Sequence, residues 1–150
     1  MIIDIVEDED YKELIEGQLF ELIGYLLNKD QEFTLTSNIK AVSFEPEIPE
    51  SIAKNFQPFT VFALANYTYS TIELTDTHIS FETGFGAENF GSVVTIPLYA
   101  LFQIVVDESI LFINPTATVE KFIKNEKSKD QEERSRNAFT LNRKNKDLLS

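Results

Sequence analysis

The sequence predicts an α+β fold, mainly β, in which an N-terminal helix precedes a small and strongly bent antiparallel sheet or partial β-barrel. Apolar residues follow a helical period only near the N-terminus, and five or six short β-type segments with turn residues between them come next. From Asn125 to Asn137 there is no aliphatic or aromatic residue, which predicts a disordered C-terminal tail. The 150 residues, 43% of them hydrophobic, are enough for one domain with a buried core.

The first element is a helix that we expect to begin at Asp10. Asp10 and Glu13 have the spacing of a capping box, in which both side chains accept from free backbone N–H groups. Apolar residues then recur at helical spacing: Tyr11, Leu14, Ile15, Leu19, Leu22, Ile23 and Leu26. Phe20 and Leu27 extend this arc beyond what one core face needs. Either another part of the chain covers the extra face, or a second subunit of a homodimer does so through Leu19, Phe20, Ile23 and Leu27.

Short β-type segments follow the helix. We expect strands at Ile39 to Phe44, Phe59 to Asn66, Thr71 to Leu74, Ile79 to Thr83, Val93 to Ile96 and Leu101 to Val106. Pro46 and Pro49 frame a loop, because proline cannot donate to the ladder of a central strand. Thr75-Asp-Thr-His78 has the composition of a turn between two strands and predicts a hairpin.

Residues 118–150 are predicted to form a flexible tail beyond a domain of residues 1–117. Val119, Phe122 and Ile123 favour one or two last amphipathic helical turns, and the polar spacer follows. Apolar residues then return in Ala138 to Lys144 and at Leu148-Leu149. A polar spacer that ends in a small apolar and basic cluster is typical of a tethered docking motif, although a terminus with no partner has the same pattern.

The net charge of −12 is divided unevenly along the chain. Residues 1–117 hold 4 of the 13 basic and 19 of the 25 acidic residues, and no Lys or Arg lies between Lys54 and Lys121. Such a surface repels phosphate groups and offers no counterion release, so we expect no direct binding of nucleic acid. The charge is also explained by solubility alone.

No membrane segment is expected. The N-terminus lacks the basic region of a signal peptide, which predicts a cytoplasmic protein. Two charge-free runs, Asn55 to Ile72 and Asn89 to Val106, are long enough to span a bilayer. Their Pro, Gln, Asn and Gly content and their β-branched residues favour buried strands instead.

Most familiar catalytic chemistry is excluded by composition. There is no Cys, and the single His78 lies in the predicted turn, so thiolate nucleophiles and histidine-clustered metal sites are ruled out. Gly84-Phe-Gly-Ala-Glu-Asn89 begins like a dinucleotide-binding motif, but it lacks the third glycine and leads into a strand. It indicates a bent strand or a close backbone approach. We therefore expect a binding protein with no enzymatic activity, no metal and no cofactor.

An ordered series of short motifs runs through the predicted strands. It comprises Ile72-Glu-Leu74, Ile79-Ser-Phe81, Thr83, Phe85-Gly-Ala87, Val94-Thr-Ile-Pro-Leu98 and Phe112-Ile-Asn-Pro115. In order and spacing this series resembles the SspB family (stringent starvation protein B), adaptors that deliver tagged proteins to the ClpXP protease. With the leading helix, the resemblance covers residues 11–117.

The resemblance implies a complete functional scheme. It implies an Sm-like β-barrel with an N-terminal helix, a homodimer, and a groove for the ssrA tag of stalled-translation products. The tail would dock on the N-terminal domain of ClpX, with Phe139, Leu141 and Arg143 as candidates. The tag groove would be formed by Glu82, Thr83, Gly84, Phe85 and Gly86, with Ala65, Asn66, Tyr67 and Tyr69 opposite.

Two departures from the family pattern bear on specificity. Gly84 stands where relatives often carry Arg, and Glu88 to Gly91 lengthens the following loop. Together with the acidic stretch from Asn55 to Glu120, this predicts a tag with basic residues, or at least with few acidic ones. The alternative function is an Sm-like RNA-binding or assembly module, since small bent barrels carry many functions.

Overall fold

The computed structural model describes residues 4–126, and the chain divides into two units between Val119 and Glu120. The helices are α1 (Glu9–Asn28), α2 (Glu50–Ala53) and α3 (Asn66–Ser70), and residues 120–126 are also helical. The strands are β1 (Phe33–Asn38), β2 (Ser43–Glu45), β3 (Phe59–Leu64), β4 (Glu73–Leu74), β5 (His78–Phe85), β6 (Phe90–Pro97), β7 (Leu101–Val106) and β8 (Ser109–Ile113). The expected N-terminal helix and antiparallel strands are thus confirmed.

The strands form two antiparallel sheets of four strands each. Sheet 1 has the order β3-β1-β7-β8, and sheet 2 has the order β2-β6-β5-β4. Within residues 4–126 they do not close into the expected barrel. The reason lies at the edges of sheet 2, where β2 has only three residues and β4 only two, too few to continue the hydrogen-bond ladder into sheet 1.

Helix α1 starts differently from the prediction. It begins at Glu9 with Asp8 as its N-cap, and the Asp8 side chain makes no capping hydrogen bond, so the capping box at Asp10 and Glu13 is wrong. Glu9 and Asp10 occupy the first turn, where carboxylates interact favourably with the positive end of the helix dipole. Acidic residues near this end therefore stabilise the start without a side-chain cap.

The buried stripe of α1 corrects the proposed dimer residues. Ile15, Leu19, Ile23 and Leu26 follow i, i+4 and i+3 spacing and are the buried residues of the helix. Leu19 and Ile23 are fully buried inside the chain, so they cannot contact a second subunit. Phe20 is 39% exposed and Leu27 is half-buried, and only these two of the four predicted interface residues remain accessible.

The inner faces of the two sheets meet through phenylalanine rings. The rings of Phe44, Phe56 and Phe85 lie 5.6 Å from one another, and Phe62 lies 5.6 Å from Phe81 and 6.5 Å from Phe85. We call these five residues the ring cluster. Because side chains alternate along a strand, Phe81 and Phe85 point inward and leave Glu82 and Gly84 on the outer face of sheet 2.

The predicted turn is present in the structure, whereas one predicted strand is placed differently. The Thr75 hydroxyl accepts from the backbone N–H of His78 at 3.0 Å and joins β4 to β5, which confirms the predicted hairpin. Of the strand predicted at Ile39 to Phe44, only Ser43 and Phe44 lie in a strand, β2, and Ile39–Ala41 is a 3₁₀ turn. A longer strand, β1, precedes this turn. The alternating Phe-Thr-Leu-Thr pattern of β1 is the sequence signal for that strand.

Asn114 stabilises the junction after β8, within the Phe112-Ile-Asn-Pro115 motif. Its buried amide group donates to the carbonyl oxygens of Tyr99 at 2.9 Å and Leu101 at 3.1 Å. Its Oδ1 accepts from the backbone N–H of Thr116 at 3.0 Å. The side chain therefore links β8 to the turn between β6 and β7.

We expect Asn114→Ala to lower the free energy of unfolding by about 2 to 4 kcal/mol, because it leaves buried backbone groups without partners. Urea denaturation measures this loss. Asn55→Ala is the matched control, since the exposed Asn55 makes one 3.3 Å bond to Ser51 and should lose no more than about 0.5 kcal/mol. A loss below about 1 kcal/mol for Asn114→Ala contradicts the assignment.

Candidate functional site

A cleft of about 610 Å³ opens on the outer face of sheet 2, and we call it the trough. Strands β2, β5 and β6, helix α3 and the turn between β5 and β6 contribute its walls and floor. The lining residues are Glu45, Pro46, Asn66, Tyr67, Thr68, Glu82, Thr83, Gly84, Asn89, Gly91, Ser92 and Val93.

Two glycines face each other on this surface of sheet 2. Gly84 of β5 lies directly opposite Gly91 of β6 in the ladder. The space above Gly91 is open, so the outer face is lowered there to the level of the backbone, whereas the Asn89 side chain fills the space above Gly84. Two residues along β5, on the same outer face, Glu82 pairs with Val93 of β6, and Val93 also pairs with Glu45 of β2. The floor therefore passes from the open backbone at Gly91 to a Glu-Val-Glu row.

The side chain of Asn89, in the turn between β5 and β6, covers Gly84. Its side-chain oxygen occupies the position that a Cβ atom at Gly84 would take. Any side chain at residue 84 would have to displace Asn89, which has a positive φ of 54° in the turn. This contact explains why glycine is suited to position 84 in the present chain.

Helix α3 is anchored beside β5 as a wall of the trough. Asn66 starts the helix with a positive φ of 54°, and its backbone N–H donates to the carboxylate of Glu32. The Tyr67 hydroxyl donates to Oε2 of Glu82 at 2.6 Å, and the Glu82 backbone N–H donates to Oγ1 of Thr71 at 2.8 Å. Both bonds fix α3 against the strand, although Tyr67 remains 68% exposed.

The trough is negatively charged. Among its lining residues, Glu45 and Glu82 are acidic and none is Lys, Arg or His. The hydrogen bond to Glu82 and the negative charge of its carboxylate raise the pKa of the Tyr67 hydroxyl, with a smaller contribution from burial. Deprotonation of Tyr67 would place a second negative charge beside the Glu82 carboxylate. The neutral form of Tyr67 is therefore favoured.

Glu82→Gln is expected to lower the pKa of Tyr67 toward the ordinary tyrosine value, because the neutral amide no longer disfavours the tyrosinate. A pH titration of ¹³C-labelled tyrosine by NMR follows the Tyr67 ring in both proteins. Glu88→Gln makes the same change in net charge at an exposed turn and should leave the Tyr67 titration where it is. Identical midpoints in the Glu82→Gln variant and the unaltered chain would refute the contact.

The trough contains five of the nine residues predicted for the tag groove: Asn66, Tyr67, Glu82, Thr83 and Gly84. The other four do not line it. Ala65 precedes α3, and Gly86 lies in the turn after β5 with a positive φ of 73°. Phe85 belongs to the ring cluster, and the Tyr69 ring packs edge-on against Phe33 at 6.4 Å. Their side chains or positions serve the fold.

Sequence reasoning missed the other side of the trough. The missed lining residues are Glu45, Pro46, Thr68, Asn89, Gly91, Ser92 and Val93. The alternation around Val93 and Gly91 signals an outer face of β6 that continues the outer face of β5. No local signal places Glu45 there, because its position depends on pairing between β2 and β6.

Comparison with known proteins does not assign the chain to a family. No protein-family model and no curated protein sequence matches it. A functional conclusion therefore depends on the trough and on the motifs of the sequence.

Other candidate features of the described residues do not join the trough. Within residues 4–126 there is no group of three or more His, Asp or Glu side chains that could hold a metal ion. His78 is half-buried, with Nδ1 at 2.8 Å from the Thr77 hydroxyl, and it lies outside the trough. In the described part of the chain, no helix has the length and hydropathy to cross a membrane. Phe139, Leu141 and Arg143 lie outside the described residues.

Proposed function

We propose that the chain is a proteolysis adaptor of the SspB type, whose trough binds ssrA-type tags and which delivers the tagged polypeptides to ClpXP. One observation carries the proposal. Five residues named from the family resemblance converge on a single solvent-facing cleft of about 610 Å³. The proposal includes a fold related to the SspB type and a cytoplasmic location.

The shape of the trough favours an extended peptide. Clefts of roughly 300 to 1,000 Å³ are typical of ligand sites. At Gly91 a bound chain can approach the sheet backbone closely, because no atom lies within 4 Å of the position that its Cβ would take. Tyr67 and Val93 add exposed apolar surface beside it. The lining residues contain no set of nucleophile, base and orienting group, so the role we propose is binding without catalysis.

The remaining parts of the adaptor scheme are proposals as well. We assign docking on the N-terminal domain of ClpX to residues 118–150, through Phe139, Leu141 and Arg143. A homodimer contact through α1 would use Phe20 and Leu27, since these two remain accessible. A tethered substrate gains effective concentration at the protease, and two chains in a dimer add avidity.

Calorimetry with the host's own ssrA tag peptide tests the binding step. We expect saturable binding of one peptide per chain. An absence of binding would refute the proposal at its first step.

Deletion of the residues after Asn137 tests the delivery step. The truncated chain should bind the tag peptide as the full chain does but should no longer stimulate ClpXP degradation of a tagged reporter. Undiminished stimulation would refute the docking role of Phe139, Leu141 and Arg143.

An RNA gel shift across a salt titration tests the rival function. We expect no shifted species, because the trough lacks cationic side chains and offers no counterion release. A salt-dependent shift would favour an Sm-like RNA-binding module instead.

A further inference from the structure

The Glu-Val-Glu row crosses the trough floor beside the wall formed by α3. Glu82, Val93 and Glu45 are direct partners on three neighbouring strands, and all three line the cleft. Because adjacent strands lie ~4.8 Å apart, the Cα atoms of the two glutamates are separated by about 10 Å. Both glutamates are exposed, and Val93 between them is 37% exposed.

This arrangement matches the build of one amino-acid side chain. Lys and Arg combine an apolar stem of several methylene groups with a cationic end, and they place the stem on apolar surface while the charge reaches polar groups. Val93 offers the apolar surface, and a carboxylate lies on either side of it. A Glu or Asp side chain in the same position would meet two like charges.

Glu82 keeps acceptor capacity for such a cation. Tyr67 donates to one of its oxygens, Oε2, at 2.6 Å. An ionised carboxylate has about four acceptor sites on two oxygens, so one hydrogen bond does not saturate it. The same bond holds the Glu82 carboxylate on the wall formed by α3 and so orients it in the cleft.

We propose that the chain bound in the trough carries a lysine or arginine whose stem lies on Val93 and whose charge lies between Glu45 and Glu82. This inference rests on the proposed function and adds the class of peptide that the trough selects. It places the cation preference at two named carboxylates and a valine. The preference for a cation is thus assigned to a defined subsite and not to the net charge of the protein.

Two versions of the host's ssrA tag peptide test the inference, one with lysine and one with glutamate at a central position. Fluorescence anisotropy with fluorescein-labelled peptides at low salt measures both affinities. The unaltered chain should bind the lysine peptide at least about tenfold more tightly than the glutamate peptide. In the Glu45→Gln, Glu82→Gln double variant the ratio should fall to about twofold or less.

Glu13→Gln, Glu21→Gln is the matched control, because it removes the same charge from the exposed face of α1. It should keep the ratio of the unaltered chain. A ratio near one in the unaltered chain, or an equal fall in both double variants, would overturn the subsite while leaving peptide binding intact. If neither peptide binds, the proposed function fails instead. Should the Glu82 change unfold the chain, Glu45→Gln alone should reduce the ratio, and an unchanged ratio would overturn the subsite.

Discussion

Gly91→Leu is expected to weaken binding of the host's ssrA tag peptide at least about tenfold, because a leucine side chain fills the floor of the trough. A Cβ atom at Gly91 meets no atom within 4 Å, so the fold has space for the new side chain. Thermal unfolding should therefore stay at the same temperature or rise slightly, since glycine is a poor strand residue. Calorimetry and thermal denaturation together measure both effects.

Gly17→Leu is the matched control for this variant. A Cβ atom at Gly17 also meets nothing within 4 Å, but it lies on the exposed side of α1, away from the trough. Peptide affinity should be unchanged there. Unimpaired binding by Gly91→Leu would show that peptides do not occupy the trough.

Leu19→Ala is expected to lower the free energy of unfolding by about 3 to 5 kcal/mol, because it removes a fully buried side chain and leaves a cavity. Phe20→Ala, one residue later on α1, should cost about 1 kcal/mol or less, since Phe20 is 39% exposed. Urea denaturation at several protein concentrations measures the free energy of unfolding. A loss that arises in the core does not depend on protein concentration, whereas a loss at a subunit contact does. Equal losses for the two variants would contradict the orientation of the helix.

Local pattern predicts the strands and the turn that carry part of the site, but the site residues on them are named only by the family resemblance. The apolar and polar alternation around Phe81 and Val94 separates inner from outer residues, and Thr75 to His78 marks the turn. The family resemblance also implies Asn66 and Tyr67, which no periodicity indicates. These residues lie in a five-residue helix, too short to have a helical pattern of its own.

Pairing between strands that are distant in the chain determines which residues join the site, and local sequence does not specify it. Glu45 enters the site because β2 pairs with β6, and the partner Val93 lies 48 positions later in the chain. No local rule specifies such a register. On α1, the wide apolar arc was correctly recognised, but only the packing of Leu19 and Ile23 shows which part of it faces the core. Phe20 is exposed because Leu19 and Ile23 face the core.

The ring cluster limits how far the floor of the trough can move. Phe85 and Phe81 pack beneath the same strand whose outer face carries Gly84 and Glu82. Protein interiors are close-packed, so β5 cannot sink inward to admit an oversized group. Under the proposed function, a bound peptide therefore has to fit the trough as it stands, and a group too large for it is excluded sterically.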